Sequence, residues 1–419
     1  MSERWRWILS QITRRIWFRA GVFSLLAIST ALLGAWAGPY IPLHLSAKIG
    51  SDAVDNILGI LASSMLTVTT FSLSTMVSAY SAATSNVTPR ANVLIMEDST
   101  TQNVLSTFIG SFLFSLVGII ALSTGTYGEQ GRVILFGVTI LVIGFIVVTL
   151  LRWIDHLSRL GRVTETTQRV EEAAIRTIRE RRRRPHLGCH PLTDRVTEIP
   201  PSAQMVHANS IGYVQHIDVE ALSALAKSQE AEIYVRRLPG ELADPTEAIL
   251  AVERGAIDAD ALRACVTIGD RRSFDQDPRF GICVLTEVAS RALSPATNDL
   301  GTAVDVIGRL LRVLAAWAEP VQAEPVEISN VFVPPISIDD IFDDAFLAIA
   351  RDGAGVVEVG VRLQKTLRTL SRLDHPGFRE AAQRHARRAI ERASLVLTLE
   401  DDRDVLQRLE ADVQAQRAR

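Results

Sequence analysis

The chain has 419 residues, 47% of them hydrophobic, and a formal net charge of −3. That length exceeds a single domain, which typically holds about 100–200 residues, and the near-neutral balance excludes nucleic acid as a partner chosen by bulk charge. Three widely spaced cysteines, Cys189, Cys265 and Cys283, exclude a disulfide framework.

Four apolar stretches occupy residues 20–42, 57–80, 104–127 and 133–151, none of them charged over its central turns. A bilayer core takes about 20 mostly apolar residues to cross as a helix, and only helices and closed barrels satisfy their own backbone there. Four transmembrane helices are therefore expected, in a membrane domain at 1–155. Arg4, Arg6, Arg14, Arg15 and Arg19 precede the first stretch, Arg90 follows the second, and Arg152, Arg159 and Arg162 follow the fourth. The opposite loops carry little beyond Lys48 and Arg132. The positive-inside bias then puts both termini in the cytoplasm of a multi-pass protein of the plasma membrane, by general character a bacterial inner membrane. Trp5, Trp7 and Trp17 are placed as interfacial anchors. The first stretch is too long for a signal peptide and lacks a small-residue cleavage pattern, so a retained helix is expected.

The second stretch carries the strongest local signal. Ser63, Thr67, Thr70, Ser74, Ser78 and Ser81 recur at intervals of four and three, with Ser85 and Thr88 continuing the register. At about 100° per residue they share one narrow helix face. Such a face lines a water-filled path, where hydroxyls replace hydration without fixing a charge. Equally, it lets helices approach and hydrogen-bond, since small residues dominate membrane helix contacts. Asn86, Thr88 and Pro89 end the stripe, Pro89 disfavours helical geometry at Thr88, and Arg90 follows. An arginine at a pore mouth favours anions; the plainer reading is that it snorkels to lipid head groups.

The other stretches read as scaffolding. Gly34 and Gly38 form a Gly-xxx-Gly pair, and Gly110, Ser111, Ser115 and Gly118 put small residues on nearby faces of the third helix. The fourth is nearly pure Val, Ile and Leu, as a lipid-facing helix would be. No membrane-embedded carboxylate or histidine stands out, which speaks against proton-coupled transport.

Residues 155–180 show a helical pattern that would carry the fourth span into the cytosol, and 156–200 reads as a helical linker. The run Arg181–Arg184 is a candidate grip on anionic lipid or a solvated charge run. His186, Cys189 and His190 lack the fourth ligand of a zinc site, so no metal and no cofactor are expected. Residues 201–270 read as a small β-rich module: strands at 210–217, 232–238 and 248–253, a helix capped by Asp218, and another at 259–266. Residues 271–419 are mainly helical, with helices at 280–293 and 301–317, a strand at 326–333, and amphipathic segments at 356–373 and 377–399 suited to a hairpin and to subunit contacts. Asp339, Asp340, Asp343 and Asp344 suit a helix start better than a calcium loop.

The densest polar constellation runs Asp270, Arg271, Arg272, Asp275, Gln276, Asp277, Pro278, with Asp277 expected as the cap of the helix that follows. Arg271, Arg272 and Arg291 with the amides after Asn298 and Asp299 could hold a phosphate-like anion; an Arg–Asp network locking two helices is the structural alternative. No nucleophile–base pair or Gly-rich phosphate loop accompanies them, so no catalytic residues and no enzyme are expected.

These residues resemble the predicted bacterial membrane proteins of domain-of-unknown-function family 2254, over almost the whole chain. The pieces that carry the resemblance are the Ser/Thr-rich span leading into Ser85-Asn-Val-Thr-Pro-Arg90, Gln102 with Gly110 and Phe114, Gln276-Asp-Pro-x-Phe-Gly281, and Arg291-Ala-Leu-Ser-Pro-Ala-Thr-Asn-Asp299 with Thr302 and Ala303. Leu300 stands where the family pattern has proline, which loosens the turn before the next helix. The resemblance implies four spans and a cytosolic domain and supplies no activity.

The fold expected is an α-helical membrane protein with four transmembrane helices plus an α+β cytoplasmic domain. The expected role is a homo-oligomeric passive ion channel in the lipid bilayer, conducting small ions along Ser63, Thr67, Thr70, Ser74, Ser78, Ser81 and Arg90. The cytoplasmic domain would act as gate or sensor through Arg271, Arg272, Asp277, Arg291, Asn298 and Asp299. The alternative is a non-conducting membrane-anchored sensor or assembly scaffold.

Overall fold

The computed structural model describes residues 13, 16–37, 51–96, 98–125, 129–194 and 199–415. Arg4, Arg6, Arg14, Arg15, Trp5, Trp7, Gly38, Pro42, Lys48 and Tyr127 lie outside them. The chain divides into two compact units, one spanning Ile8–Thr166 and the other built from Thr167–Arg419.

The first unit is a bundle of four helices: α1 (Ile16–Ala37), α2 (Ser51–Asn86), α3 (Ser99–Ser123) and α4 (Glu129–Arg159). Three segments, Ala53–Ala82 in α2, Ser99–Ser123 and Gly131–Arg159 in α4, are long and apolar enough to cross a membrane; the apolar run Trp17–Thr30 in α1 is shorter. With 36 residues, α2 is about 54 Å long, well beyond a hydrocarbon core of about 30 Å. Helix direction alternates through the bundle. Arg19 near the start of α1 donates to Asn103 Oδ1 (2.8 Å) and to the Ser99 carbonyl (3.4 Å) at the start of α3. Leu58 from the start of α2 packs with Phe114, Ala121 and Leu135, and Leu61 and Met65 pack with Val104, Phe108, Ile146 and Trp153. The α2 helix ends at Asn86, and Thr88 is extended (φ −160°, ψ 144°) and accepts from the Arg90 amide, so the chain turns where Pro89 demands it.

Helix α4 stops at Arg159, short of the continuous helix expected through 180. Gly161 takes φ +79°, and a side chain there would meet the Ala79 backbone at 3.2 Å. Helix α5 (Val163–Arg183) then enters the second unit, where Val170, Ala173, Ala174 and Ile178 are buried. The segment read as a linker also holds β1 (Cys189–Pro191), a strand of the main sheet.

The second unit has two sheets. Strands β2 (Gln204–His207), β4 (Glu232–Val235), β6 (Ala248–Glu253) and β8 (Ile328–Val333) join β1 in the order β1-β8-β4-β6-β2, with β8 parallel to both neighbours. Strands β3 (Gly212–Ile217), β5 (Leu242–Ala243) and β7 (Val266–Gly269) form an antiparallel sheet of order β5-β3-β7. Side chains alternate as strand geometry requires. Ile233, Val235, Leu250 and Val252 face one core with Leu222 of α6 (Val219–Ser228), while Tyr234 and Ala251 face a smaller cluster with Leu192. Asp218 caps α6, accepting from Ala221 N at 2.9 Å. Helices α7 (Phe280–Ala292), α8 (Leu300–Ala318), α9 (Ile338–Asp352), α10 (Val357–Leu370), α11 (Phe378–Val396) and α12 (Glu400–Gln414) follow. The expected hairpin is present as α10 packed on α11.

Candidate functional site

The hydroxyl stripe of α2 lies on the outer face of its own bundle. Ser63, Thr67, Thr70, Ser74, Ser78 and Ser81 are all exposed, while Val54, Leu58, Leu61, Met65 and Met76 turn inward. Thr69 and Ser72 are the hydroxyls of this stretch that turn inward with those apolar side chains, and the six of the stripe are left outside. Several of these hydroxyls donate to a carbonyl of their own helix: Ser63 to Ile60 (3.0 Å), Thr67 to Ser63 (2.9 Å), Thr70 to Leu66 (2.9 Å) and Ser78 to Ser74 (3.1 Å). Each of these oxygens keeps lone pairs with which to accept. Leu66, Phe71, Leu73 and Val77, all exposed, flank the stripe. Arg90 is exposed on the short turn that follows α2.

A polar network absent from the sequence reading joins Ser72 of α2 to α3 and α4. Trp153 Nε1 donates to the fully buried Ser72 Oγ at 2.9 Å and stacks on His156 with ring centroids 5.7 Å apart. His156 Nε2 lies 2.9 Å from Asp98 Oδ2, which also accepts from the Thr101 amide and hydroxyl. The histidine sits in the last turn of α4 and the carboxylate at the start of α3, just beyond the apolar stretches. The readable signal was Trp153 and His156 three residues apart on α4, with Asp98 placed as the cap of α3.

In the second unit the predicted cluster separates into two places. Arg272 and Asp277 pair bidentately, Nε to Oδ2 at 2.7 Å and Nη2 to Oδ1 at 3.0 Å. Asp277 caps the start of α7 as expected: the residue at the helix boundary, Arg279, makes no side-chain cap bond, and Asp277, two residues earlier, accepts from the Arg279 and Phe280 amides. Burial pushes its carboxyl up, against Arg272 and the amide and charge of Arg279. Burial works against the Arg272 cation as well, yet Asp277 outweighs it and raises that pKa. Arg291, Asn298 and Asp299 lie exposed at the other end of the 13-residue α7, about 18 Å away along its axis. There Asn298 takes φ +49°, and Asp299 caps α8 through the Thr302 amide and hydroxyl. Arg271 is exposed and its carbonyl accepts from Gln215. One anion therefore does not touch all six residues.

Arg272 also donates to Cys283 Sγ at 3.3 Å, and burial pushes that thiol up to about 12, so it is held protonated. The close approach of α5 to α7 explains the glycine of the Gln276–Gly281 motif: a Cβ on Gly281 would lie 2.5 Å from Ala174 Cβ. The other strong charge cluster ties α5 to α8, with Arg309 and Arg312 both on the Glu171 carboxylate. The arginine run does not present four cations together. Arg181 is buried, Arg182 donates to the Ala316 and Glu319 carbonyls, Arg183 lies near Glu180, and Arg184 lies near Glu324. Among the described residues no group of three or more His, Cys, Asp or Glu side chains is placed to hold a metal.

Comparison with known proteins gives a family match described as predicted membrane protein (DUF2254), over residues 13–369. Uncharacterized proteins of Mycobacterium bovis and Mycobacterium tuberculosis are each 32% identical over 137 residues, 30% of this chain. The match spans 26% of those relatives' own length. No solved structure matches.

Proposed function

The chain belongs to the DUF2254 family of predicted membrane proteins, and from that premise we propose a four-span homo-oligomeric protein of the bacterial inner membrane, in which α2 helices of several copies surround a passive path for small ions. The arginines at one end of the bundle, Arg19, Arg90, Arg159 and Arg162, mark the cytoplasmic side in this reading, which puts the C-terminal unit in the cytoplasm as gate or sensor. The pairing of Arg19 with Asn103 and Ser99 supports α1 as the fourth span, because it lays α1 parallel to α3 as alternating topology requires.

The observation that carries the proposal is the uncovered hydroxyl face of α2. Oxygens whose protons are spent on their own helix present acceptors without a net charge, which suits transient replacement of hydration. The flanking Leu66, Phe71, Leu73 and Val77 supply apolar surface for contact between neighbouring copies. The same face pressed dry against a second copy is the rival arrangement, a non-conducting scaffold or sensor. Reconstitution in liposomes separates the two. Flux that Thr70→Leu abolishes and Arg90→Glu shifts toward cations supports the path. Folded oligomers without flux under any voltage or osmotic condition support the scaffold.

A further inference from the structure

Within the C-terminal unit, a cleft of about 520 Å³ opens between the turn before β5, the loop leading into α7 and the start of α9. Its volume falls in the range of small-molecule sites and is far too large for a bare ion. Four arginines line it: Arg181, Arg237, Arg272 and Arg279. Three are matched by carboxylates, Arg237 by Glu247, Arg272 by Asp277 and Arg279 by Asp340 and Asp344.

Arg181 is different. The residue is only 8% exposed, and its one side-chain hydrogen bond among the described residues goes from Nη2 to the Gln276 carbonyl at 2.9 Å. Burial pulls its pKa down to about 10, with Asp277 acting against that from a distance. A buried cation costs folding free energy unless a partner meets it, and no carboxylate of the unit forms an ion pair with it among the described residues. Glu241 and Asp244 also line the cleft, and both are occupied by local donors, the Leu238 amide and Thr246. They remain able to accept from hydroxyl or amino groups, since a carboxylate has about four lone-pair sites.

We propose that this cleft binds a small phosphate-bearing molecule, its anionic group against Arg181 and its hydroxyl- or amino-bearing part toward Glu241 and Asp244, as a mononucleotide or sugar phosphate would supply. The guanidinium fork matches phosphate oxygens in pairs, and Arg279, with Nη2 outside its two ion pairs, has a donor left to share. The turn that forms one wall is held in place by contact with the same network: Gly240 takes φ +93°, and a Cβ there would collide with the Asp277 carboxylate. Ligand at Arg181 would therefore bear on the Asp277 pair that caps α7.

The regulatory use of such a ligand rests on the sensor role proposed above, whereas binding is read without any flux. Full-length protein in detergent is titrated calorimetrically with pyrophosphate, AMP, citrate and dihexanoyl phosphatidylglycerol, and its thermal midpoint is followed in parallel. Saturable binding of AMP or pyrophosphate, weakened at least tenfold by Arg181→Met while the ligand-free midpoint stays level or rises, is the expected result. A rise is the signature of a buried cation kept for a ligand rather than for stability. Arg181-dependent binding of the short-chain lipid alone would keep the phosphate and assign it to a head group. No binding of any phosphate probe, binding indifferent to Arg181→Met, or binding of citrate alone would overturn the proposal. Should Arg181→Met fail to fold, Arg181→Lys, which keeps the charge and loses the paired donors of the fork, carries the same expectation of weakened binding.

Discussion

The two units differ in where many of their polar side chains find partners. In the helical bundle of the first, hydroxyls bond the carbonyl three or four residues back on the same helix, as at Ser63, Thr67, Thr70, Thr139 and Thr149. In the second, charged side chains bond across elements, as when Glu171 of α5 takes both Arg309 and Arg312 of α8. A helix that satisfies its own polar groups can be set against lipid or a second copy without leaving any of them stranded. A network that crosses elements fixes their relative placement and fails when one member is removed. The difference teaches where substitutions should hurt.

The largest loss is expected from Asp277→Ala. It strands the Arg272 guanidinium and the Arg279 and Phe280 amides in a buried site, and breaking such a pair costs about 3–5 kcal/mol. Chemical denaturation of the full chain in detergent, followed by a probe in the C-terminal unit, checks this; a loss below about 1 kcal/mol would break the contrast drawn between the units.

Next comes a dependence on pH. His385 of α11 is buried against Phe342 and Phe346, with Nε2 3.1 Å from Asp343 Oδ1. Burial lowers its pKa from 6.5 to about 4, Arg384 and Arg388 push the same way, and Asp343 opposes them. A histidine whose pKa is lower folded than unfolded takes up its proton preferentially in the unfolded chain. Its contribution is complete above pH 6.5 and is lost as the pH falls toward 4, by an amount on the order of 3 kcal/mol. Denaturation at pH 7.5 and pH 4.5 should show the fall, and His385→Gln should flatten it.

How much of this could be read beforehand follows the range of the interactions. Local signals held: β6 occupies the expected residues 248–253, and Asp218 and Asp299 cap the helices they precede. The stripe on α2 was legible as a face, but its direction was not, because periodicity groups side chains without naming the side that Leu58, Leu61 and Met65 will claim. The six-residue cluster looked continuous because Arg291 and Asn298 follow Asp277 closely in sequence, and α7 carries them apart. Arg181 was hidden among four arginines, and only the packing of Gln276 and the cleft around it sets one of them apart. The same non-locality concealed β1, whose parallel partner β8 lies more than 130 residues away.

Smaller effects sharpen the comparison inside the first unit. Trp153→Phe removes the bond from Trp153 to Ser72 that joins α4 to α2, and hydrogen bonds between helices in membranes are worth about 0.6 kcal/mol on average. Unfolding in mixed micelles should register a loss of that order. Thr67→Val should register less, within about 0.5 kcal/mol of wild type, because the hydroxyl it deletes bonds the Ser63 carbonyl of its own exposed turn and valine keeps the shape. That near-silence makes the substitution informative. A fold left intact means that any change in liposome flux reports the outer face of α2 alone. Reduced flux at unchanged stability would tie the hydroxyl stripe to conduction. Unchanged flux would leave Thr67 to contact between helices, and a stability loss above about 1 kcal/mol would show that the stripe is tied across copies as firmly as the ion pairs are across elements.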